Sequence, residues 1–171
     1  GDTEFLNCDF SSIKEQEYEQ LEIIGDRAFY NLNQITGSLI IPNVRSVGNR
    51  AFEGCAGLNA NLDLGNQLGF IGFNAFNGCN FKSLRIGNNY DSPPTFISPE
   101  TFAGSNFTGL IIDGEAEEIG RSDFSFFESY SNNCRLTLEE GIEEIVDNCF
   151  EGFNFIGNIN IPTSMEYVGS K

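Results

Sequence analysis

Apolar and polar positions along the chain fall into two short patterns that take turns. The first is an apolar-x-apolar triplet: Leu-Ile-Ile (39–41), Leu-Asp-Leu (62–64), Leu-Arg-Ile (84–86), Leu-Ile-Ile (110–112), Leu-Thr-Leu (136–138) and Ile-Asn-Ile (159–161). Alternation of period two is that of a β-strand, with the outer side chains of each triplet inward and the middle one outward. The second pattern is apolar-Gly-x-x-Ala-Phe. It is complete as IGDRAF from Ile24, VGNRAF from Val47 and IGFNAF from Ile71. It is worn as ISPETF from Ile97, IGRSDF from Ile119 and IVDNCF from Ile145, and VGSK from Val168 begins another copy.

Aligned on their phenylalanines, Phe29, Phe52, Phe76, Phe102, Phe124 and Phe150, the copies are 23, 24, 26, 22 and 26 residues apart. A period in the twenties predicts a solenoid in which each repeat is one coil. Each coil reads as a strand, a tight turn, a corner and a return segment. Pro42 and Pro162 end the pairing of the strands they follow. The glycine after the apolar residue supplies a special backbone conformation or a close approach. Alanine before the phenylalanine predicts a narrow slot, in which Asp123 is the one charged substitute. The phenylalanines are expected to stack as a ladder at the strand spacing of about 4.8 Å. Each contributes on the order of 1.5–3 kcal/mol by burial.

Leu39-Ile40-Ile41-Pro42 followed by Val47-Gly48-Asn49-Arg50-Ala51-Phe52-Glu53-Gly54-Cys55 resembles the BspA-like leucine-rich repeat family, and Ile71 through Cys79 repeats the second half. The resemblance covers residues 21–169. It implies a leucine-rich repeat solenoid, a right-handed superhelix of about six coils. A parallel β-sheet would line one face, with short turns or 3-10 segments elsewhere. It also implies a surface-exposed or secreted protein, extracytoplasmic, engaged in adhesion or in binding host proteins. Ser105 at the cysteine place and Asp123 with the following SFFESYSNN depart from the pattern.

Composition narrows the function classes. A formal charge of −16 argues against nucleic acid and against anionic membranes, both of which call for a surplus of Lys and Arg. No apolar run reaches the roughly 20 residues needed to span a bilayer. The absence of His removes imidazole catalysis, and no phosphate loop or nucleophile elbow occurs. No catalytic residue, cofactor or metal is therefore assigned, and the chain is expected not to be an enzyme. Five cysteines, Cys8, Cys55, Cys79, Cys134 and Cys149, cannot pair completely within one chain and are expected as buried free thiols.

Two surfaces are candidates for a protein or glycan partner. One is the outward row of the sheet, Ile40, Asp63, Arg85, Ile111, Thr137 and Asn160, with Arg135 in the preceding row. Exposed Ile40 and Ile111 favour a binding face, and Asp63 and Arg85 are expected to pair across adjacent strands. The other comprises the two longer loops, with Tyr90 in the first and Phe126, Phe127 and Tyr130 in the second. For those last three, packing over an irregular corner competes with exposure. Asp113, Glu115, Glu117 and Glu118 share the phase of Glu139, Glu140, Glu143 and Glu144, predicting a solvated acidic rim of stacked like charges. A calcium-dependent module and a purely structural scaffold or spacer are the alternatives to binding.

The ends differ from the middle. Residues 1–20 lie outside the repeat and read as an N-terminal cap, a strand followed by a short helix with a capping box at Ser12-Ile13-Lys14-Glu15. Gly1 reads as a processed or engineered start. Residues 21–171 form the repeat domain with its last repeat truncated, and an open end predicts a monomer or a weak end-to-end dimer.

Overall fold

A computed structural model describes residues 21–87, 97–114, 118–120 and 124–170. The expected cap at 1–20, Cys8, Tyr90 with its loop, Glu115, Glu117 and Asp123 lie outside the described residues.

The chain winds as a solenoid of parallel strands. Strands β2 (Gly37–Ile40), β4 (Leu58–Asp63), β6 (Ser83–Ile86), β7 (Gly109–Ile112) and β9 (Arg135–Leu138) form one five-stranded parallel sheet in that order. Two-residue strands mark the start of the corners. β1 (Ile23–Ile24), β3 (Ser46–Val47) and β5 (Phe70–Ile71) form one small sheet, and β8 (Glu118–Ile119), β10 (Glu144–Ile145) and β11 (Tyr167–Val168) form another. The alternation predicted for the triplets holds in five of them: the outer residues are buried and the middle one is half-buried or exposed. The sixth, 159–161, is not a strand, and Asn160 is not on the sheet. Ile159 and Ile161 are exposed, because among the described residues no further coil lies against them.

The phenylalanine ladder exists, with one rung displaced. Phe29 stacks on Phe52 at 4.7 Å, Phe52 on Phe76 at 5.3 Å and Phe76 on Phe102 at 5.7 Å, with ring planes within 10° of parallel. The next ring against Phe102 is Phe126, at 5.7 Å, whereas motif alignment had pointed to Phe124. Phe124 is buried beside it and precedes a 3-10 turn, Ser125–Tyr130, that carries Phe126 into the rung. Counting through Phe126 makes the last two intervals 24 and 24 (126 − 102 and 150 − 126), closer to the early repeats than the 22 and 26 obtained through Phe124.

Gly48, Gly72 and Gly169 are required by proximity. A Cβ on Gly72 would lie 2.4 Å from the backbone nitrogen of Asn49, and one on Gly48 or Gly169 would meet the preceding coil as closely. Gly25 has nothing within 4 Å among the described residues. The unusual backbone sits two residues further on, where Arg27, Arg50, Asn74 and Asn148 adopt φ of 54°, 56°, 56° and 59°. Asn tolerates this left-handed region; the two arginines occupy it at some steric cost. The alanine slot is as narrow as expected, with Ala51 and Ala75 fully buried. Thr101 takes the same slot, with a hydroxyl that has no hydrogen-bond partner among the described residues.

These contacts predict opposite results from one chemical change. Gly72→Ala should destabilise the protein by more than about 2 kcal/mol through the clash with Asn49, and Gly25→Ala should change stability by less than about 0.5 kcal/mol. Urea denaturation of the two variants beside the parent tests the pair.

Candidate functional site

The outward row of the large sheet is in strict register. Ile40 lies beside Asp63, Asp63 beside Arg85, Arg85 beside Ile111 and Ile111 beside Thr137. In the preceding row Asn61, Ser83, Gly109 and Arg135 are aligned in the same way. Ile40 and Ile111 are half-buried, less open than the sequence suggested, while Thr137 and Arg135 are exposed. Along the preceding row Ser38 Oγ accepts from the Asn61 N–H, and the Ser83 hydroxyl donates to Asn61 Oδ1 at 2.8 Å.

The chemistry of this face centres on Arg85. Its guanidinium meets Asp63 at 3.3 Å, as expected, and also Asp113 at 2.7 Å and Glu139 at 2.8 Å. Glu139 accepts from both Nε and Nη2, a bidentate pair across two coils. The Glu139 hydrogen bond is the main reason the guanidinium is held even more firmly protonated than usual, against the opposing effect of its partial burial. One guanidinium among three carboxylates leaves the cluster at −2 (1 − 3), with Asp113 buried. This changes the expected exposed pair into a sheltered four-residue cluster, and it corrects the solvated acidic rim at Asp113. The like-charge stacking holds elsewhere, since Glu118 and Glu144 are partners in the β8–β10 register. Among the described residues, no group of three or more His, Cys, Asp or Glu side chains is arranged to hold a metal ion.

The loop candidates fare differently. Phe126 and Phe127 are buried, so neither is a surface anchor. Phe107 explains this: its ring lies 5.0 Å from that of Phe127 and 5.8 Å from that of Phe102, drawing the 3-10 turn into the core. Tyr130 is half-buried at the edge of the same cluster, 5.5 Å from Phe107. Burial, with Glu100 as a lesser contributor, raises its phenol pKa.

The corners carry a feature that sequence reading missed. Asp26 Oδ1 accepts the backbone N–H of Asn49 on the next coil at 2.7 Å. Asn49 Oδ1 in turn accepts from Phe73 at 2.9 Å, and Asp147 Oδ1 accepts from Ser170 at 2.7 Å. Each side chain thus caps the next coil at the same place in the repeat. The signal was present as Asp or Asn directly after the glycine or its substitute in three copies. Glu140 makes a comparable link, accepting the N–H and hydroxyl of Thr163.

Four of the cysteines are buried free thiols, as expected. Cys55 donates to the Phe29 carbonyl at 2.9 Å and Cys79 to the Phe52 carbonyl at 3.3 Å. Ser105, at the cysteine place, donates to the Cys79 carbonyl and continues the column.

Two outcomes follow. Arg85→Ala removes the guanidinium that pairs with buried Asp113 and with Glu139. It should lower stability by on the order of 1–3 kcal/mol, reduced from the full buried-pair value because Arg85 is about 29% exposed. Chemical denaturation measures it, and Asp63→Asn should cost less. The second concerns pH. The backbone N–H of Thr163 is the main cause holding Glu140 below its ordinary carboxylate pKa, and that of Ser170 does the same for Asp147. A pKa lowered by folding means the ionised form favours the fold. This contribution is present above the unfolded pKa of about 4 and is lost as pH falls through the folded value. Amide resonances of Thr163 and Ser170 should therefore shift on acidification below about pH 4, and Glu140→Gln and Asp147→Asn should abolish the respective shifts.

Comparison with known proteins agrees with this architecture. The BspA type leucine-rich repeat region matches the chain in six copies, at residues 1–80, 22–125 and 95–171. A leucine-rich repeat protein from Bacteroides ovatus ATCC 8483, known from a crystal structure, is similar at 23% identity and a TM-score of 0.39. That similarity covers 86% of this chain and 43% of the other, so the present chain spans less than half of its length. No curated protein matches the sequence. Leucine-rich repeats of this kind generally serve as protein-binding scaffolds without catalytic activity, and the BspA-like family is typically extracellular. With its repeats matched from one end of the sequence to the other, this chain belongs to the BspA-type leucine-rich repeat family.

Proposed function

We propose that the chain is a non-enzymatic recognition module that acts outside the cytoplasm, at a cell surface or after secretion, and binds a protein or glycan through the outward row of its five-stranded sheet. The observation that carries this reading is the alignment of Ile40, Asp63, Arg85, Ile111 and Thr137 in one register. It places two apolar side chains on either side of a guanidinium already held in position by carboxylates. Such a face needs little ordering on binding, because Arg85 and Glu139 are fixed to each other beforehand. A protein ligand fits best: half-buried isoleucines gain from apolar contact, and Arg135 adds an exposed cation at the edge. No helix among the described residues is long and apolar enough to cross a membrane.

The experiment is capture on host matrix proteins and on a glycan array, followed by affinity measurement with variants. Ile111→Ala, Thr137→Ala and Arg135→Ala combined should weaken the captured partner by at least about tenfold. Arg45→Ala, next to the small β1–β3–β5 sheet, should leave affinity unchanged. Full affinity in the triple variant would exclude this face as the binding surface.

A further inference from the structure

We propose that the corner of the coil carrying Phe102 is a joint built into the interior of the stack. Neighbouring coils part there on the corner side, while the sheet stays closed and serves as the pivot. Three kinds of observation converge on this place.

The first is backbone bonding between corners. At the start of a corner, the residue after the apolar position donates its N–H to the apolar residue one coil earlier. Gly48 donates to Ile24, Gly72 to Val47, Val146 to Ile119 and Gly169 to Ile145. The equivalent bond from Ser98 to Ile71 is missing, and buried Ile97 makes no backbone hydrogen bond among the described residues. Ile97 accordingly belongs to no strand, and the corner strands separate into β1–β3–β5 before it and β8–β10–β11 after it. Further along the corner, Phe52 donates to Ala75 and Gly54 to Asn77, then Phe76 to Thr101 and Gly78 to Ala103. Phe102 and Gly104 donate to no residue of the following coil among those described.

The second is the side chains that link corners. Asp26 accepts from Asn49, and Asn49 from Phe73, each from the same place one coil on. At the next step both halves of the link are lost, because Phe73 offers no acceptor and Pro99 has no N–H. Pro99 instead opens a 3-10 turn, Pro99–Phe102. Three buried side-chain polar atoms lack a hydrogen-bond partner among the described residues. Two of them, Asn74 Oδ1 and Thr101 Oγ1, lie on the two corners that meet here. Each favours an opened state in which water reaches it.

The third is the contrast between the two sides of the coil. On the corner side the Phe102 and Phe126 rings are tilted by 33°, against 10° or less in the three earlier rungs. On the sheet side β7 pairs with β6 at four successive residues and with β9 at four. Arg85 on β6 reaches Asp113 and Glu139, beyond the ends of β7 and β9, and so ties the same coils together. Bonds lost along one side and kept along the other make the strand ladder the axis of a hinge. Opening tilts the coils before Phe102 against those after it and changes the curvature of the outward row, which crosses the axis. The joint does not depend on that row being a binding surface.

Native-state hydrogen exchange tests it by comparing equivalent amides one coil apart. Protection factors at Phe76 and Gly78 should be at least about tenfold lower than at Phe52 and Gly54, while the amides of β7 match those of β4. Thr101→Ala, and separately Phe73→Asn combined with Pro99→Asn, should raise protection at Phe76 and Gly78 and leave Phe52 and Gly54 unchanged. Equal protection at the four corner amides of the parent, or no gain in either variant, overturns the proposal. So does loss of protection in β7 alongside the corner, because the whole coil then unfolds. A gain at Phe52 and Gly54 as large as at Phe76 and Gly78 overturns it too, since that is general stabilisation.

Discussion

Everything in this solenoid is governed by one spacing. Parallel strands joined by backbone hydrogen bonds sit about 4.8 Å apart, so every side chain on a coil meets its own equivalent one step away. A residue that stacks well on itself is therefore selected at each position, and one that does not must be rescued. Phenylalanine satisfies the condition at the corner, where rings 4.7–5.7 Å apart lie nearly parallel. Glycine satisfies it where two backbones touch, as at Gly48 and Gly72. Asp and Asn satisfy it by accepting from the next coil what they cannot share with their own.

Charge is the difficult case under this rule. Equivalent carboxylates on neighbouring coils repel, and Asp113 and Glu139 follow directly after the paired strands β7 and β9. Arg85 resolves the conflict by reaching across the intervening strand to hold both, and Asp63 completes the arrangement from the other side. The sheet face thus gains a rigid polar centre as a by-product of neutralising its own ladder. That coupling makes Arg85 a poor probe of binding and its neighbours better ones.

Much of the architecture was legible because it depends on letters that recur in phase. Five strand triplets, the buried alanines and the first four rungs of phenylalanine follow from period alone. The displaced rung shows the limit: IGRSDF preserves the letters of the corner at Phe124, while the spacing favours Phe126, and the fold obeys spacing because the rung must meet Phe102. Ile-Asn-Ile at 159–161 has the strand pattern without the strand, since pattern supplies one half of a pairing and a neighbour supplies the other. At the candidate face, register predicted the Asp63–Arg85 contact. Glu139, 54 residues from Arg85 in sequence, enters through side-chain reach that periodicity does not encode. The left-handed backbone at Arg27 and Arg50 was hidden for a related reason: Asn74 and Asn148 advertise it, and arginine does not.

The thiol column has a consequence for durability. Burial raises Cys55 and Cys134 to about 11, and it raises Cys79 further, with Cys55 nearby adding to the effect. Burial thus keeps Cys55 in the thiol form at neutral pH, whereas the thiolate is the nucleophile in disulfide exchange. The stack can therefore keep unpaired cysteines in oxidising surroundings without cross-linking, for as long as its coils stay closed. A coil that opens releases its sulfur together with its phenylalanine, so local unfolding is the event that exposes these thiols to oxidation.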